Sequence, residues 1–369
     1  MNSESLHTIP ANNWVPKPSK PIIIAGPCSA ESEQQIMIVA EHFATNDKVQ
    51  LIRAGVWKPR TRPNSFEGMG VRALPWLQKA QQEFGIKFTI EVAKAEHVKA
   101  ALDAGIEFLW IGARTTVNPF SVQEIADALK GADIPVFVKN PINPDIQLWI
   151  GAMERLIAVG INKIAAVHRG FNTYNDPVYR NSPNWEIPID LKTRFPNLDI
   201  IVDPSHIGGT RPLIQPISQK ALDLGFDGLM IETHPDPTVA LSDAKQQIAL
   251  SNFNALIDSL ELKQKHFQDQ TTLDELAQLR KMIDEIDHHL IENLKKRADI
   301  VQKIGEYKAA HGVTVFQVER WTEIMKDRMS YGADHNLDSD LIKGIWNGVH
   351  QSSIQSQTLI ATQKLAEKE

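Results

Sequence analysis

The sequence predicts a parallel (β/α)₈ barrel followed by an all-helical domain. Short runs rich in isoleucine, valine and phenylalanine recur between residues 21 and 255 and alternate with stretches of helical character. Continuous apolar strands separated by helices are typical of a parallel sheet covered on both faces, and eight such units suit a closed barrel. The runs are PIIIAG, QLIRAG, KFTIEV, FLWIG, PVFVKN, KIAAVHRG, DIIVDPSH and GLMIET.

The all-helical domain is predicted from a change in amino-acid composition along the chain. From residue 264 the sequence turns polar, in KQKHFQDQT, and no proline follows Pro237. One long helix is expected over residues 273–311, ended by Gly312, and two more over 319–329 and 338–366. The predicted divisions are an N-terminal extension (1–20), the barrel (21–263), a linker (264–271) and a three-helix domain (272–369).

Composition excludes some classes of function. With 42% hydrophobic and 23% charged residues the chain is ordinary for a globular protein, and its net charge of −6 gives no general attraction to nucleic acid or to acidic membranes. The N-terminus lacks the basic start and apolar core of a secretory signal, and no apolar run approaches membrane-spanning length. A single cysteine makes no internal disulfide. We therefore expect a cytoplasmic protein.

The chemistry of a (β/α)₈ barrel lies at the carboxyl ends of its strands, so the residues that end each run are the candidates for function. An open, doubly wound sheet is the alternative fold, but no GxGxxG motif follows the first run. The polar strand-end residues are Cys28 after strand 1, Arg53 and Lys58 after strand 2, Arg114 after strand 4, Lys139 after strand 5, His168 and Arg169 after strand 6, Asp203 and His206 after strand 7, and Glu232 and His234 after strand 8.

One group of these residues resembles a metal site. Cys28, His206 and Glu232 follow strands that become neighbours when the barrel closes, and Asp243 comes shortly after Glu232. A single buried cysteine usually packs as a small apolar residue, but four candidate ligands at adjacent strand ends reverse that preference. A thiolate, an imidazole and two carboxylates suit one divalent transition metal per barrel, Mn²⁺, Fe²⁺, Co²⁺ or Zn²⁺, better than Ca²⁺ or Mg²⁺.

A second group of residues at the barrel mouth is basic. Pairing with nearby acids would explain one or two such cations. Six in one cavity of a protein with net negative charge favour substrates that carry more than one anionic group. They are Arg53, Lys58, Arg60, Arg114, Lys139 and Arg169.

These motifs resemble the metal-dependent 3-deoxy-D-arabino-heptulosonate 7-phosphate (DAHP) synthases, in the subfamily related to 3-deoxy-manno-octulosonate 8-phosphate synthases. The resemblance covers residues 21 to about 255 and rests on GPCSAE, RAGVWKPRTRPNSFEGMG, WIGART, VKNP, HRG, VDPSH and IETHPDP followed by LSD. It implies the condensation of phosphoenolpyruvate with erythrose 4-phosphate. The loop 172–185, NTYNDPVYRNSPNW, has no assigned counterpart in the family.

By position in these motifs, the resemblance implies a role for each strand-end group. Lys58, Lys139 and His206 are the candidate catalytic residues, and the choice between Lys139 and His206 for moving protons stays open. The KPRT segment separates this chain from the octulosonate synthases. The implied ligands are Cys28, His206, Glu232 and Asp243 for the metal; Arg53, Lys58, Arg114, Lys139 and Arg169 for phosphoenolpyruvate; and Pro59, Arg60 and Thr61 for erythrose 4-phosphate.

A sugar-phosphate lyase that works through a Schiff-base lysine is an alternative for the barrel. Lys139 ends a strand and could form such an adduct. The metal set and KPRT argue against this alternative, and borohydride trapping of a covalent adduct would support it.

Cations interrupt the apolar stripe of the long predicted helix. Arg297 and Lys308 lie eleven residues apart, about three turns, and so share a face that ought to be apolar. Charged seam residues commonly fix helix register or extend to solvent. Together with Arg280, and with Ser353 and Gln357 one turn apart on the last helix, they favour a basic pocket for a small dianion instead.

Residues 272–366 resemble the all-helical chorismate mutases in LRKMIDEID, NLKKRADIVQKIGEYKAAHGV and VERW. The resemblance implies a domain that dimerises and that rearranges chorismate to prephenate without a nucleophile or metal, with Arg297, Lys308 and Gln357 catalytic. Gln317 and Trp321 stand where the family often has acids near the chorismate hydroxyl. The implied chorismate ligands are Arg280 from the partner chain, Arg297, Lys308, Arg320, Ser353 and Gln357.

The two resemblances together predict a bifunctional enzyme of aromatic amino-acid synthesis by the shikimate pathway. Its partners are expected to be phosphoenolpyruvate, erythrose 4-phosphate and chorismate, with no nucleic acid or membrane, and its assembly a homodimer or homotetramer. The alternative is a DAHP synthase with a non-catalytic, ligand-sensing helical dimerisation module. Because only about twenty residues precede the barrel, we expect feedback inhibition to act through the mutase domain.

Overall fold

The computed structural model describes residues 6–59, 66–173, 176–264 and 269–366. The chain separates into two compact units, Met1–Lys265 and His266–Glu369. Among the helices of the described residues, none combines the length and apolarity that crossing a membrane requires.

Eight parallel strands close into a barrel in the first unit, which confirms the predicted fold class. Each strand pairs with the next along the chain, and the first pairs with the eighth, with Ile22 opposite Gly228. A side chain at Gly228 would overlap the Ile22 carbonyl oxygen, so glycine permits this closure. The strands are β1 (Ile22–Gly26), β2 (Leu51–Arg53), β3 (Phe88–Val92), β4 (Phe108–Ile111), β5 (Val136–Lys139), β6 (Ile164–His168), β7 (Ile200–Val202), β8 (Gly228–His234) and a two-residue extension, β9 (Ile248–Ala249).

The apolar runs are continuous because each strand is buried on both faces. In β1, Ile22 and Ile24 belong to a core inside the barrel, whereas Ile23 and Ala25 belong to an outer core between strands and helices. Successive side chains of a strand point to opposite faces, so a strand with two covered faces needs apolar residues at every position.

Helices cover the outside of the barrel and connect its strands. The helix after β1 is capped by Ser32, whose side chain accepts a hydrogen bond from the Gln35 amide at 3.1 Å. Its buried residues, among them Ile36, Val39 and Phe43, recur at helical spacing. The helices of this unit are α1 (Glu33–Ala44), α2 (Leu74–Phe84), α3 (Ala95–Asp103), α4 (Ala113–Thr116), α5 (Pro119–Leu129), α6 (Ile146–Ala158), α7 (Glu186–Arg194), α8 (Pro204–Gly208), α9 (Ile214–Asp223) and α10 (Leu250–Asp258).

The N-terminal end of the barrel is closed by the segment that precedes β1 and by a buried ion-pair network. The Trp14 ring lies 5.4 Å from the Phe137 ring. The Asp227 carboxylate, almost fully buried, lies 2.9 Å from both Lys20 and Lys192. Burial raises the pKa of Asp227, but the lysines Lys192 and Lys20 outweigh it and hold this pKa below its usual value. Asp227 is therefore ionised at neutral pH.

The second unit consists of three helices, as predicted. The Asp269 side chain caps the first helix by accepting a hydrogen bond from the Thr272 amide at 2.8 Å. The first and second helices both pack against the third, and Gly332 lets the second approach Ile342 of the third closely. These helices are α11 (Gln270–Ala310), α12 (Val318–Asp334) and α13 (Ser339–Ala366).

The helical unit leaves most of its large apolar side chains uncovered. Within its described residues, the buried hydrophobic residues are Val301 and Ile342. Along α11, Met282, Ile286 and Leu290 are between 56% and 59% exposed. A helix that is about 60 Å long with an uncovered apolar stripe is typical of a surface that packs against another chain.

Candidate active sites

The strand-end residues meet in a cleft at the carboxyl end of the barrel. Its lining includes two residues of the KPRT segment, Lys58 and Pro59, whereas Arg60 and Thr61 lie outside the described residues. The predicted residues that line this cleft are Lys58, Pro59, Arg114, Lys139, Arg169, His206 and Asp243. The structure therefore brings four of the six basic residues and part of the metal set to one cleft, while Arg53 lies outside its lining.

The predicted metal ligands come together beside this cleft. The Cys28 sulfur and one carboxylate oxygen each from Glu232 and Asp243 all lie within 4.8 Å of one another, and the Cys28 Sγ to Asp243 Oδ2 distance is 3.4 Å. His206 Nε2 lies 3.7 Å from Glu232 Oε1 and 4.0 Å from Asp243 Oδ2. Three of the four side chains form one cluster and His206 lies next to it, because β7, β8 and β1 are adjacent in the closed sheet.

The charges around Cys28 fit a divalent cation. Burial, followed by the Glu232 carboxylate, raises the pKa of the Cys28 thiol to about 12. Two carboxylates and a thiol lie within 4.8 Å of one another, so a cation bound between them would offset the repulsion of the carboxylates and favour the thiolate form of Cys28. Soft sulfur combined with nitrogen and oxygen donors suits a transition metal rather than Ca²⁺ or Mg²⁺.

Asp203, at the end of β7, links the metal set to the basic residues. Its Oδ2 lies 2.8 Å from both Lys139 Nζ and His206 Nδ1. Burial raises the pKa of Asp203, but the His206 and Lys139 charges hold it well below its usual value. An ionised Asp203 orients the His206 ring and leaves Nε2 directed at the carboxylates of Glu232 and Asp243.

Arg53 and Lys58, after β2, are buried cations held by acidic neighbours. Arg53 Nη2 lies 3.0 Å from Glu232 Oε1, and its guanidinium lies 5.1 Å from the centre of the Trp110 ring. Burial lowers the pKa of Arg53, but the Glu232 and Asp203 carboxylates more than offset it. Burial likewise lowers the pKa of Lys58, but the neighbouring Cys28 and Glu232 outweigh burial, so this pKa is raised above its usual value. Both residues therefore carry charge before substrate arrives.

Lys139 and Arg169 experience a less favourable environment for their charge. Burial lowers the pKa of Lys139 despite the neighbouring Asp203 carboxylate. Burial also lowers the pKa of Arg169 to about 10, so the guanidinium stays protonated at neutral pH. Arg169 Nη1 donates to Asn181 Oδ1 at 2.7 Å, which fixes the direction of the guanidinium. An anionic substrate would relieve the cost of burying these two charges.

Sequence reasoning missed three contributors to the cleft. Arg180 and Asn181 come from the loop after β6. Arg180 lines the cleft, with its Nη1 atom 3.2 Å from Asp243 Oδ1, and Asn181 contributes by holding Arg169. Glu91, on β3, also lines the cleft, and Gly112 is small enough to accommodate its carboxylate. Extending the strand-end rule to β3 would have found Glu91, whereas no sequence pattern marks Arg180 or Asn181.

A cavity of about 690 Å³ in the helical unit gathers five of the six residues predicted to bind chorismate. Arg297 Nη1 donates to Ser353 Oγ at 2.7 Å, and Lys308 Nζ donates to the Val315 carbonyl at 2.7 Å. Arg280 is exposed on α11 and does not line the cavity within this chain. The five lining residues are Arg297, Lys308, Arg320, Ser353 and Gln357.

The helical cavity is positively charged. Among the described residues that line it, none is an aspartate or glutamate. Burial, followed by the Arg328 charge, lowers the pKa of Arg297. The Gln357 Oε1 atom is buried without a hydrogen-bond partner in the described part of the chain. Gln317 and Trp321 also line the cavity, and the Trp321 ring stacks on His350 with centroids 3.7 Å apart.

Comparison with known families divides the chain in the same way. Residues 14–269 match the model of the DAHP synthetase I family. Residues 279–358 match the model of chorismate mutase type II.

Individual relatives resemble the first unit. A phospho-2-dehydro-3-deoxyheptonate aldolase of Thermotoga maritima is 32% identical over 238 residues, which cover 64% of this chain and 68% of the relative. A 2-dehydro-3-deoxyphosphooctonate aldolase of Geotalea daltonii is 26% identical over 264 residues, 65% of this chain and 90% of the relative. The crystal structure of the T. maritima DAHP synthase superposes with a TM-score of 0.58 at 31% identity, covering 64% of this chain and 67% of that one.

Proposed function

The chain belongs to the DAHP synthetase I family and carries a chorismate mutase type II domain, and from this premise we propose which residues perform each of its two reactions. The barrel condenses phosphoenolpyruvate with erythrose 4-phosphate to DAHP and phosphate. The helical domain rearranges chorismate to prephenate. The protein is thus a bifunctional enzyme of aromatic amino-acid synthesis.

In the barrel, Cys28, His206, Glu232 and Asp243 hold one divalent transition metal, Mn²⁺, Fe²⁺, Co²⁺ or Zn²⁺. The observation that carries this proposal is the meeting of the thiol and two carboxylates within 4.8 Å, beside a cleft lined by basic residues. When bound, such an ion polarises the aldehyde oxygen of erythrose 4-phosphate.

The basic residues of the cleft hold the two anionic substrates in register. The buried charges of Arg53, Lys139 and Arg169 are fixed by neighbouring acids and amides, and the buried Lys58 lines the cleft, so these residues bind the phosphate and carboxylate groups with little rearrangement. Arg114, at the cleft surface, completes the phosphoenolpyruvate site. Erythrose 4-phosphate lies on the KPRT segment through Pro59, Arg60 and Thr61, of which Pro59 lines the cleft.

Lys139 and His206 divide the remaining catalytic work. The His206 Nδ1 atom is engaged by Asp203 and its Nε2 atom faces the other ligands, which suits His206 to metal binding. Lys139 has a lowered pKa and lies 2.8 Å from the Asp203 carboxylate, so it can exchange a proton within the cleft. We therefore assign proton transfer to Lys139.

In the helical domain, the reaction is promoted by charge and shape. Lys308 donates to the ether oxygen as its bond to carbon breaks, and Gln357 assists. Arg297 and Arg320 bind the two carboxylates of chorismate together with Arg280 of the partner subunit, and Ser353 fixes Arg297. The uncovered apolar stripe of α11 supports a homodimer, alone or within a homotetramer.

Two assays test these assignments. The first measures DAHP formation by chelator-stripped protein before and after each metal is added back; activity that survives thorough stripping would exclude the metal site. The second measures prephenate formation by the wild type and by Arg297→Ala. Turnover by the wild type that is unchanged in Arg297→Ala would exclude the assigned cavity.

Feedback inhibition of the barrel through the helical domain is also proposed. The cationic cavity selects a dianion that is made downstream of DAHP, so its occupancy reports on the later pathway. The synthase rate of the full chain should fall when prephenate or chorismate is added, and this response should be lost in Arg297→Ala. A synthase rate that does not respond in the wild type would exclude this regulation.

A further inference from the structure

Two consecutive glutamines after β8 are completely buried beside the metal set. Gln246 is 1% exposed and Gln247 is 0% exposed. Neither is a candidate ligand, and their segment lies between Asp243 and β9. Burying an amide side chain costs free energy unless its donor and its acceptor are both hydrogen-bonded. The hydrogen-bond partners of Gln246 and Gln247 therefore indicate their role.

Gln247 ties the segment that carries Cys28 to the segment that carries Asp243. Its Oε1 accepts a hydrogen bond from the Cys28 amide at 2.9 Å, and its Nε2 donates to the Ser242 carbonyl at 2.8 Å. The Ser29 and Ser242 hydroxyls meet at 2.7 Å across the same gap. One side chain therefore sets the separation of two ligands that are far apart in sequence.

Gln246 fixes the third member of the cluster. Its Nε2 donates to Glu232 Oε2 at 2.6 Å, which leaves the other carboxylate oxygen directed at His206 Nε2. Its Oε1 accepts from Arg180 Nη1 at 2.5 Å, and the same Arg180 atom lies 3.2 Å from Asp243 Oδ1. Gln246 thus orients one ligand directly and a second through Arg180.

The backbone of Asp243 needs such support. Asp243 has a φ of +50°, in the left-handed region that non-glycine residues occupy at a cost. Conformations of this kind persist where surrounding contacts determine them. Here Gln247 holds the preceding Ser242 carbonyl, the Gln246 backbone amide donates to the Asp243 carbonyl at 3.1 Å, and Arg180 pairs with the Asp243 carboxylate.

We propose that Gln246 and Gln247 are positioning residues of the metal centre, which set the distances among Cys28, Glu232 and Asp243 before a metal binds. The inference rests on the proposed metal site. Residues that orient metal ligands by hydrogen bonds affect affinity by about 10-fold to 100-fold when they are changed.

The test is a Co²⁺ titration of the full-length, chelator-stripped protein. Gln247→Met keeps the length and volume of the side chain but removes both hydrogen bonds. We expect its Co²⁺ affinity, measured by calorimetry, to fall by about 10-fold to 100-fold, with a weaker thiolate-to-Co²⁺ absorption band. Gln246→Met should lower the affinity while it leaves more of the thiolate band, because Gln246 does not contact Cys28.

Gln50→Met is the matched control. Gln50 is 1% exposed, and its Oε1 accepts from the Ile23 amide at 2.6 Å while its Nε2 donates to Ser19 Oγ at 2.8 Å. It is therefore a buried, doubly bonded glutamine of the same barrel that lies away from the metal set. Its substitution should lower the unfolding temperature and leave Co²⁺ affinity and the absorption band unchanged.

The outcomes separate the inference from the metal site itself. Wild-type Co²⁺ affinity in Gln247→Met, or an equal loss of affinity in Gln50→Met, would overturn the positioning role and leave the metal site in place. A wild-type chain without any thiolate band would overturn the metal site, and the inference with it. Mutase activity, measured on the same preparations, should be constant in all variants.

Discussion

The acids that balance the cations of the barrel site lie within that site, whereas the cavity of the helical unit has no acid among its described lining residues. One of its cations, Arg320, pairs instead with Glu323 outside the lining, at 3.1 Å. In the barrel, Arg53, Lys139 and His206 each lie within 4 Å of Asp203 or Glu232. The cavity of the helical unit is lined by Arg297, Lys308 and Arg320, with no carboxylate among its described lining residues. A site proposed to bind two separate substrates and a metal must hold its shape before they bind. A site for one dianion can be completed by the dianion itself.

The same contrast holds for apolar surface. The barrel buries its strands on both faces, in an inner and an outer core. The helical unit buries Val301 and Ile342 and leaves Ile286, Leu290 and similar residues of its described part exposed. The barrel therefore covers its apolar strands within one chain, and the exposed stripe of the helical unit is the basis of the proposed homodimer.

The largest effect is expected from removal of a metal ligand. In Cys28→Ala the synthase activity should fall to below about 1% of wild type, since even residues behind the ligands change activity by 10-fold to 100-fold. The mutase activity of the same preparation should be unchanged, because its cavity is built from residues of the other unit. Retained synthase activity in Cys28→Ala would refute Cys28 as a ligand.

The converse variant is Arg297→Ala. Mutase turnover should fall by about 100-fold to 1,000-fold, because a cation that stabilises the transition state is lost from a site without a substitute. DAHP formation without added effector should stay at the wild-type rate. Lys303→Ala, an exposed cation of the same helix, is the control and should retain both activities. A parallel fall of both activities would contradict the division of work between the units.

A charge on the exposed stripe should separate the helical dimer. Ile286→Asp places a carboxylate where α11 is expected to meet its partner, so sedimentation should show a smaller species and mutase turnover should fall with it. Ile38→Asp changes an exposed apolar residue of the barrel and should not reduce mutase turnover. A dimer that persists in Ile286→Asp with normal turnover would place the interface elsewhere.

The smallest effect is expected at the N-terminal end of the barrel, in the ion-pair network of Asp227. Asp227→Asn removes the charge that Lys20 and Lys192 share and should lower the free energy of unfolding of the barrel by about 2 kcal/mol at pH 7. Because the folded pKa of Asp227 is lowered, its contribution is complete above the unfolded pKa, about 4, and is lost as the pH falls through the folded pKa. Urea unfolding at pH 7 and at pH 3 should therefore show a difference that shrinks in acid. Equal midpoints of wild type and variant at pH 7 would contradict this.

The sequence predicted the fold because its signals are periodic. Continuous apolar runs separated by helices indicated the parallel barrel, and the apolar stripe of α11 indicated the helical unit. The rule that function lies at the carboxyl ends of barrel strands then pointed to Cys28, Lys139 and His206. In a closed parallel barrel all of these ends lie on the same face of the sheet, so residues that follow different strands come close together.

Residues that contribute through loops escaped prediction. Gln246, Gln247 and Arg180 lie on segments whose paths are set by tertiary hydrogen bonds, and such contacts leave no periodic trace. Arg60 and Thr61, which are predicted to bind erythrose 4-phosphate, lie outside the described residues and remain predictions. The role of Arg280 also remains a prediction, because this residue is exposed on α11 and does not line the cavity of its own chain.

The pairing of β1 with β8 has a consequence for synthesis of the chain on the ribosome. Ile22 finds its neighbour at Gly228, which is translated about 200 residues later. At about 5 to 20 residues per second, the first strand waits roughly 10 to 40 s with one edge unpaired. During that interval an exposed, wholly apolar strand is a target for aggregation, so the nascent barrel should depend on chaperone shielding more than the helices that follow it.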